Sequence, residues 1–263
     1  MPYSLAMISY FRQRKLARHA PDPELFARVV GFFPALDDMD ADKRQQLYRC
    51  TTEILADKDF HGAAGLDLAP EEHLAVAVLA ALPILGLGAD WYRGFHTFII
   101  YPSGFFADYE EADESGVVHR GRDLRAGEAW AHGPVVLSLE DIEQSGQAQG
   151  YNVVVHELAH QLDQLNGDMD GFPPLHRDMD PDEWANTFAA AFQRLENQLD
   201  SGIEPPIDPY AAESPAEYFA VTSEYYFDAP DWLRQHEPAV YELLGQFYRS
   251  GGAVEGKNEK RKT

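Results

Sequence analysis

The chain has 263 residues, 45% hydrophobic and 25% charged, an ordinary globular composition that excludes a disordered, collagen-like or low-complexity protein. Lys and Arg number 21 against 44 Asp and Glu, so the net charge is −23 and a broad basic face for a phosphate backbone is excluded. One cysteine, Cys50, permits neither an internal disulfide nor a multi-cysteine zinc site, which fits a reducing compartment.

In chain order, residues 1–20 form a basic segment. Its apolar stretch, Leu5 to Phe11, precedes the charges Arg12, Arg14, Lys15 and Arg18, whereas a secretory signal places its charges first. The segment reads as a frayed helix, with a membrane-surface helix as the alternative. Helices are predicted over Glu24 to Leu36, Ala41 to Ala56 and Pro70 to Leu82. The longest apolar run, Leu74 to Gly88, is broken by Pro83 and too short to span a bilayer. No membrane span and a cytoplasmic location are expected.

Beyond Gly88 the pattern changes. His96 to Tyr101 is β-branched and aromatic and stops at Pro102, which predicts a strand. Ser103 to Gly127, rich in Gly, Asp and Glu, reads as loop with one short strand at Val117. Gly133 to Ser138 reads as a second strand, and Pro134 suggests that it lies at a sheet edge. Tyr151 to Leu165 reads as an apolar helix ending at Gly167, a good C-cap residue. Loop is predicted over Asp168 to Asp182 and Pro205 to Pro209. Further helices are predicted over Glu183 to Leu199, Ala216 to Phe227 and Pro238 to Arg249. The expected class is α+β, mostly helical with a small sheet. A single domain is expected over residues 21–249, with a helical part at 21–88 and a catalytic part at 89–249. A disordered tail is expected at 250–263.

The chemistry resides in Val153-Val-Val-His-Glu-Leu-Ala-His160, which contains His-Glu-x-x-His. Each helical residue turns about 100°, so His156 and His160 stand about 40° apart on one face and can share a tetrahedral zinc. Glu157 is placed to reach a water on that metal rather than the metal itself. The bland alternative is a helix whose histidines hydrogen-bond within the core. A catalytic zinc needs a third protein ligand. His176 falls in a loop and is a weak candidate. The helix after Tyr210 offers Glu213, Glu217 and Glu224, and Asp163 is a further carboxylate. Ser214-Pro-Ala-Glu217 also matches a capping box, so Glu217 reads equally as ligand or as cap.

Several separated stretches resemble the Mlc titration factor A family of bacterial zinc peptidases. They are Gly88 to Phe95, Ile99 to Pro102, Gly127 to Trp130, Gly133 to Ser138, His156 to Gly167, Asp208 to Ala212 and Ser214 to Glu224. Together they cover about residues 60–235. The active site is similar to that of the catalytic domain of anthrax lethal factor, in which a Tyr stands seven residues before the ligand Glu. Tyr210 and Glu217 stand in that relation here, and Glu217-Tyr-Phe-Ala matches the ligand segment. The resemblance implies a zincin-like metallopeptidase fold with an active-site helix. It implies one zinc ion per chain held by His156, His160 and Glu217, with Glu157 as general base and Tyr210 as oxyanion donor. It further implies a peptide or protein substrate, aminopeptidase-like activity, and an edge strand that takes an extended peptide, for which Gly133 to Ser138 is the candidate. Asp163 is a candidate acceptor for a ligand histidine. Glu128 and Asp163 are candidates for holding a substrate's free amine. His96 and His132 read as structural or surface residues. The family's founding member binds a glucose-responsive repressor, Mlc, so a repressor of this kind is a possible partner. The competing reading is a regulatory binding module that sequesters a transcription factor, with little peptidase activity.

Overall fold

The apolar spacing of the first third produces the helices it predicts. The structure, a computed structural model, describes residues 5–112, 118–125, 127–129 and 133–249. The opening helices are α1 (Leu5–His19), α2 (Pro23–Val30), α3 (Ala41–Asp57), α4 (Pro70–Ala81) and α5 (Ile84–Leu87). Asp22 caps α2 by accepting from Glu24 N and Leu25 N, and Asp40 caps α3 by accepting from Lys43 N. The basic segment forms α1 and lies on α3 through Arg12–Glu53 (3.3 Å) and Lys15–Asp57 (2.6 Å). The helix predicted to Leu36 stops at Val30. The chain then turns at Gly31 and forms a single 3-10 turn, Pro34–Leu36.

The strands are β1 (Asp59–Gly62), β2 (Thr97–Tyr101), β3 (Phe105–Ala112), β4 (Val118–Arg125), β5 (Gly127–Ala129) and β6 (Val135–Ser138). The main sheet runs β1-β2-β6-β5, with the first three parallel and β5 antiparallel to β6. This corrects the edge assignment of Gly133 to Ser138. β6 pairs on both sides, and Pro134 stands just ahead of the ladder, where its missing N–H costs no sheet bond. The edge beside β6 belongs to β5. The loop predicted over Ser103 to Gly127 is also corrected: it carries the two eight-residue strands β3 and β4, paired antiparallel. Their register sets Asp108 opposite Arg122 and Glu110 opposite Arg120. Val117, His132 and the tail 250–263 lie outside the described residues.

The remaining helices are α6 (Leu139–Gln144), α7 (Val153–Asp163), α8 (Pro181–Asp200), α9 (Pro215–Asp228), α10 (Pro230–His236) and α11 (Pro238–Tyr248). Every residue of α7 is buried. It packs against α9, α4 and the strands β5 and β6, so the motif helix runs through the core beside the sheet edge. A helix apolar on all faces belongs inside. The four ionisable groups of α7, His156, Glu157, His160 and Asp163, therefore need partners. Trp184 of α8, fully buried, stacks on Phe188 at 4.3 Å. Its Nε1 donates to the Gly171 carbonyl at 3.1 Å, tying the loop after α7 to α8. Among the described residues, no helix is long and apolar enough to cross a membrane.

Candidate metal centre

Asn152 caps α7, its side chain accepting from Val155 N at 3.1 Å, and so sets where the helix begins. The one-turn spacing then brings Nε2 of His156 and Nε2 of His160 to 3.2 Å of each other. Across from them, α9 presents Glu217. Its Oε2 lies 3.0 Å from His156 Nε2 and 3.3 Å from His160 Nε2. Oε2 is buried and has no hydrogen-bond partner among the described residues. Two donor atoms bound to one tetrahedral zinc at about 2.0–2.1 Å stand about 3.3 Å apart. The three observed separations match that spacing, and the donor set is the two-His, one-carboxylate set of a catalytic zinc site. The residues present therefore fit a metal.

The capping-box reading of Glu217 is half met. Ser214 Oγ accepts from Glu217 N at 3.1 Å, but the Glu217 carboxylate turns to the histidines. Burial acts to raise the Glu217 carboxyl. The attraction of His156 and His160 outweighs it and holds the group well below the usual carboxylate range.

Glu224 is not part of the three-residue metal group. One oxygen accepts from His156 Nδ1 at 2.7 Å, and the other accepts from Asn152 N at 2.6 Å. With its proton on Nδ1, His156 presents a lone pair at Nε2 toward the cluster. Burial lowers the affinity of His156 for a second proton, but the charge of Glu224 and the close carboxylates of Glu217 and Glu224 raise it well above the ordinary value. Sequence spacing placed Glu224 seven residues after Glu217 on one face. What it could not show was that His156 lies between them. Removing the carboxylate in Glu224→Ala is expected to weaken zinc binding by about 10–100-fold. Leaving Asn152 N unpaired is expected to cost about 1–3 kcal/mol of stability. Chelator competition and urea unfolding read the two effects separately.

The other candidates lie elsewhere. His176 Nε2 donates to the Phe247 carbonyl (2.8 Å), and the ring packs on Trp91. Glu213 ends the 3-10 turn Pro209–Ala212 and is outside the metal group. His96 is exposed. Glu128 stands in β5, opposite Val136. Asp163 corrects an expectation: its Oδ2 accepts from Gly171 N at 2.8 Å rather than from a histidine. Burial pushes its carboxyl up to about 6, against the lowering effect of that N–H. Below pH 4 the carboxyl is protonated folded or unfolded. Between about 4 and 6 the folded state holds more protons, so stability falls as pH rises through that window. In metal-free protein, wild type is expected to lose about 2–3 kcal/mol relative to Asp163→Asn between pH 4 and 6.5. Denaturant titrations at the two pH values measure it.

Tyr210 lies on the turn before α9, and Asp208 caps that turn by accepting from Tyr210 N at 2.9 Å. The ring is half-exposed, with its centroid 5.9 Å from that of His156. Glu157, next to His156 in the chain, is buried. The site thus combines three converging metal donors, a buried carboxylate and a nearby phenol, in a protein with an edge strand beside the same helix. That combination defines a metallopeptidase-type centre.

The family model for glucose-regulated metallo-peptidase M90 matches residues 8–249. Mlc titration factor A of Yersinia pestis (strain Pestoides F) is 39% identical over 219 residues, covering 82% of this chain and 81% of that protein. Mlc titration factor A of Yersinia pseudotuberculosis (serotype O:3, strain YPIII) matches to the same extent. The chain belongs to the Mlc titration factor A family of metallo-peptidases.

Proposed function

We propose that the protein is a cytoplasmic zinc peptidase of zincin-like fold, with His156, His160 and Glu217 holding the ion. The convergence of these three donors at 3.0–3.3 Å carries the reading. When bound, zinc supplies a Lewis acid that makes a nucleophile of water at neutral pH. Glu157 takes the proton of the attacking water and returns it to the leaving amine. Tyr210 donates its phenolic proton to the oxygen on which charge develops. Its half-exposed ring leaves that donor reachable by substrate. Glu224 keeps His156 in the tautomer that binds metal. β5, at the open side of the sheet, is the strand to which an extended peptide would add.

Tyr210→Phe is expected to lower kcat by about 10²–10³ with little change in thermal stability, since it removes one oxyanion donor from a half-exposed ring. Stopped assays and a melting curve check it. The reading itself is tested with fluorogenic peptides, free and blocked at the amino terminus, given to zinc-loaded and chelated protein. Cleavage only when zinc is present supports it, and the blocked peptides decide whether cutting starts at the amino terminus. Equal cleavage without metal, or none of any peptide, would contradict it. The name of the relatives supports a second activity, binding of an Mlc-like transcriptional repressor. Co-purification with such a repressor in both wild type and Glu157→Gln would assign it to a surface independent of catalysis.

A further inference from the structure

The helix that carries Glu217 and Glu224 carries a third inward carboxylate whose function the metal centre does not directly explain. Asp228, four residues after Glu224, is buried. Its Oδ2 accepts from Gln149 N at 2.7 Å and Gly150 N at 2.6 Å, and its Oδ1 accepts from Ala148 N at 3.4 Å. These amides belong to the loop that leads into α7. The loop needs such a clasp, because Gly146, Ala148 and Gly150 all have left-handed backbones, with φ of 77°, 57° and 84°. For Ala148 that conformation is disfavoured by its own Cβ. At the next residues, Glu224 takes Asn152 N and His156 Nδ1. Two carboxylates on successive turns of α9 therefore grip residues 148–152 and His156 in order, while Glu217 on the same helix faces the histidines.

We propose that Asp228 is a positioning residue: through loop 148–150 it sets where α7 begins against α9, and so holds His156 and His160 at metal-binding distance from Glu217. The inference rests on the metal-centre reading. An amide at this position keeps one acceptor oxygen for Gln149 N and Gly150 N but turns an NH2 toward Ala148 N and loses the charge, so the clasp on Ala148 is lost.

Zinc affinity by chelator competition, and the melting temperature of metal-free protein, are measured for wild type, Asp228→Asn, Ala148→Gly and the double variant. Asp228→Asn is expected to weaken zinc binding by about 10–100-fold, the range for residues that support a ligand. Ala148→Gly alone is expected to leave zinc affinity unchanged. Added to Asp228→Asn, it is expected to restore part of the loss, because glycine holds the left-handed turn without help. A lower melting temperature with unchanged zinc affinity would make Asp228 merely structural and overturn the proposal. So would a double variant no better than Asp228→Asn. If the amide variant does not fold, Asp228→Glu keeps the charge and displaces it by one methylene, and unchanged zinc affinity there also overturns the proposal. Failure of wild type to bind zinc would instead overturn the metal-centre reading, and the proposal with it.

Discussion

Glu157→Gln is expected to lower kcat/KM by about 10²–10⁴ while zinc stays bound. The carboxylate is buried beside His156 in sequence and is not one of the three converging donors, so its loss removes a proton acceptor and leaves the metal's holders intact. The amide is nearly the same size as the acid, which keeps the helix packing. Rates on the best peptide, with zinc content measured on the same samples, separate chemistry from metal loss. Full activity in the variant would remove Glu157 from the mechanism.

Glu217→Ala is expected to weaken zinc binding by more than about 100-fold, beyond the loss expected for an outer carboxylate such as Glu224. Only two imidazoles would then remain, and a catalytic zinc site uses three protein ligands. The metal-free fold should survive, because Ser214 still caps α9 through the backbone of residue 217. Chelator competition measures the affinity, and retention of wild-type affinity would mean that another group supplies the third bond.

The outcomes for individual residues show what a sequence can and cannot convey. His156, Glu157 and His160 were legible because helical periodicity alone puts the two histidines on one face. Glu217 was ambiguous because its spacing from Ser214 serves a cap and a ligand equally. The structure caps the Glu217 backbone through Ser214 and turns its carboxylate toward His156 and His160. The edge assignment of Gly133 to Ser138 failed for a different reason. Strand order depends on pairing rather than on local composition, and the short run Gly127–Ala129, which pairs outside Val135–Ser138, carries no strand signal of its own. The β3–β4 hairpin was hidden because a segment rich in Gly, Asp and Glu reads as loop until its backbone pairing is known. Asp163 looked like a support for a ligand histidine, yet the loop after α7 brings Gly171 N to it first. In each case the error lies in a contact that local composition does not reveal, although its partners lie within about twenty residues of each other.

The central claim is that one metal is held by two imidazoles and one carboxylate. Metal analysis with X-ray absorption at the zinc edge, on protein loaded with equimolar zinc, tests it most directly. The account predicts one zinc per chain, with nitrogen and oxygen donors at about 2.0–2.1 Å and no sulfur. Absence of bound zinc would contradict it. So would a sulfur shell at about 2.3 Å, which would implicate Cys50, buried in α3.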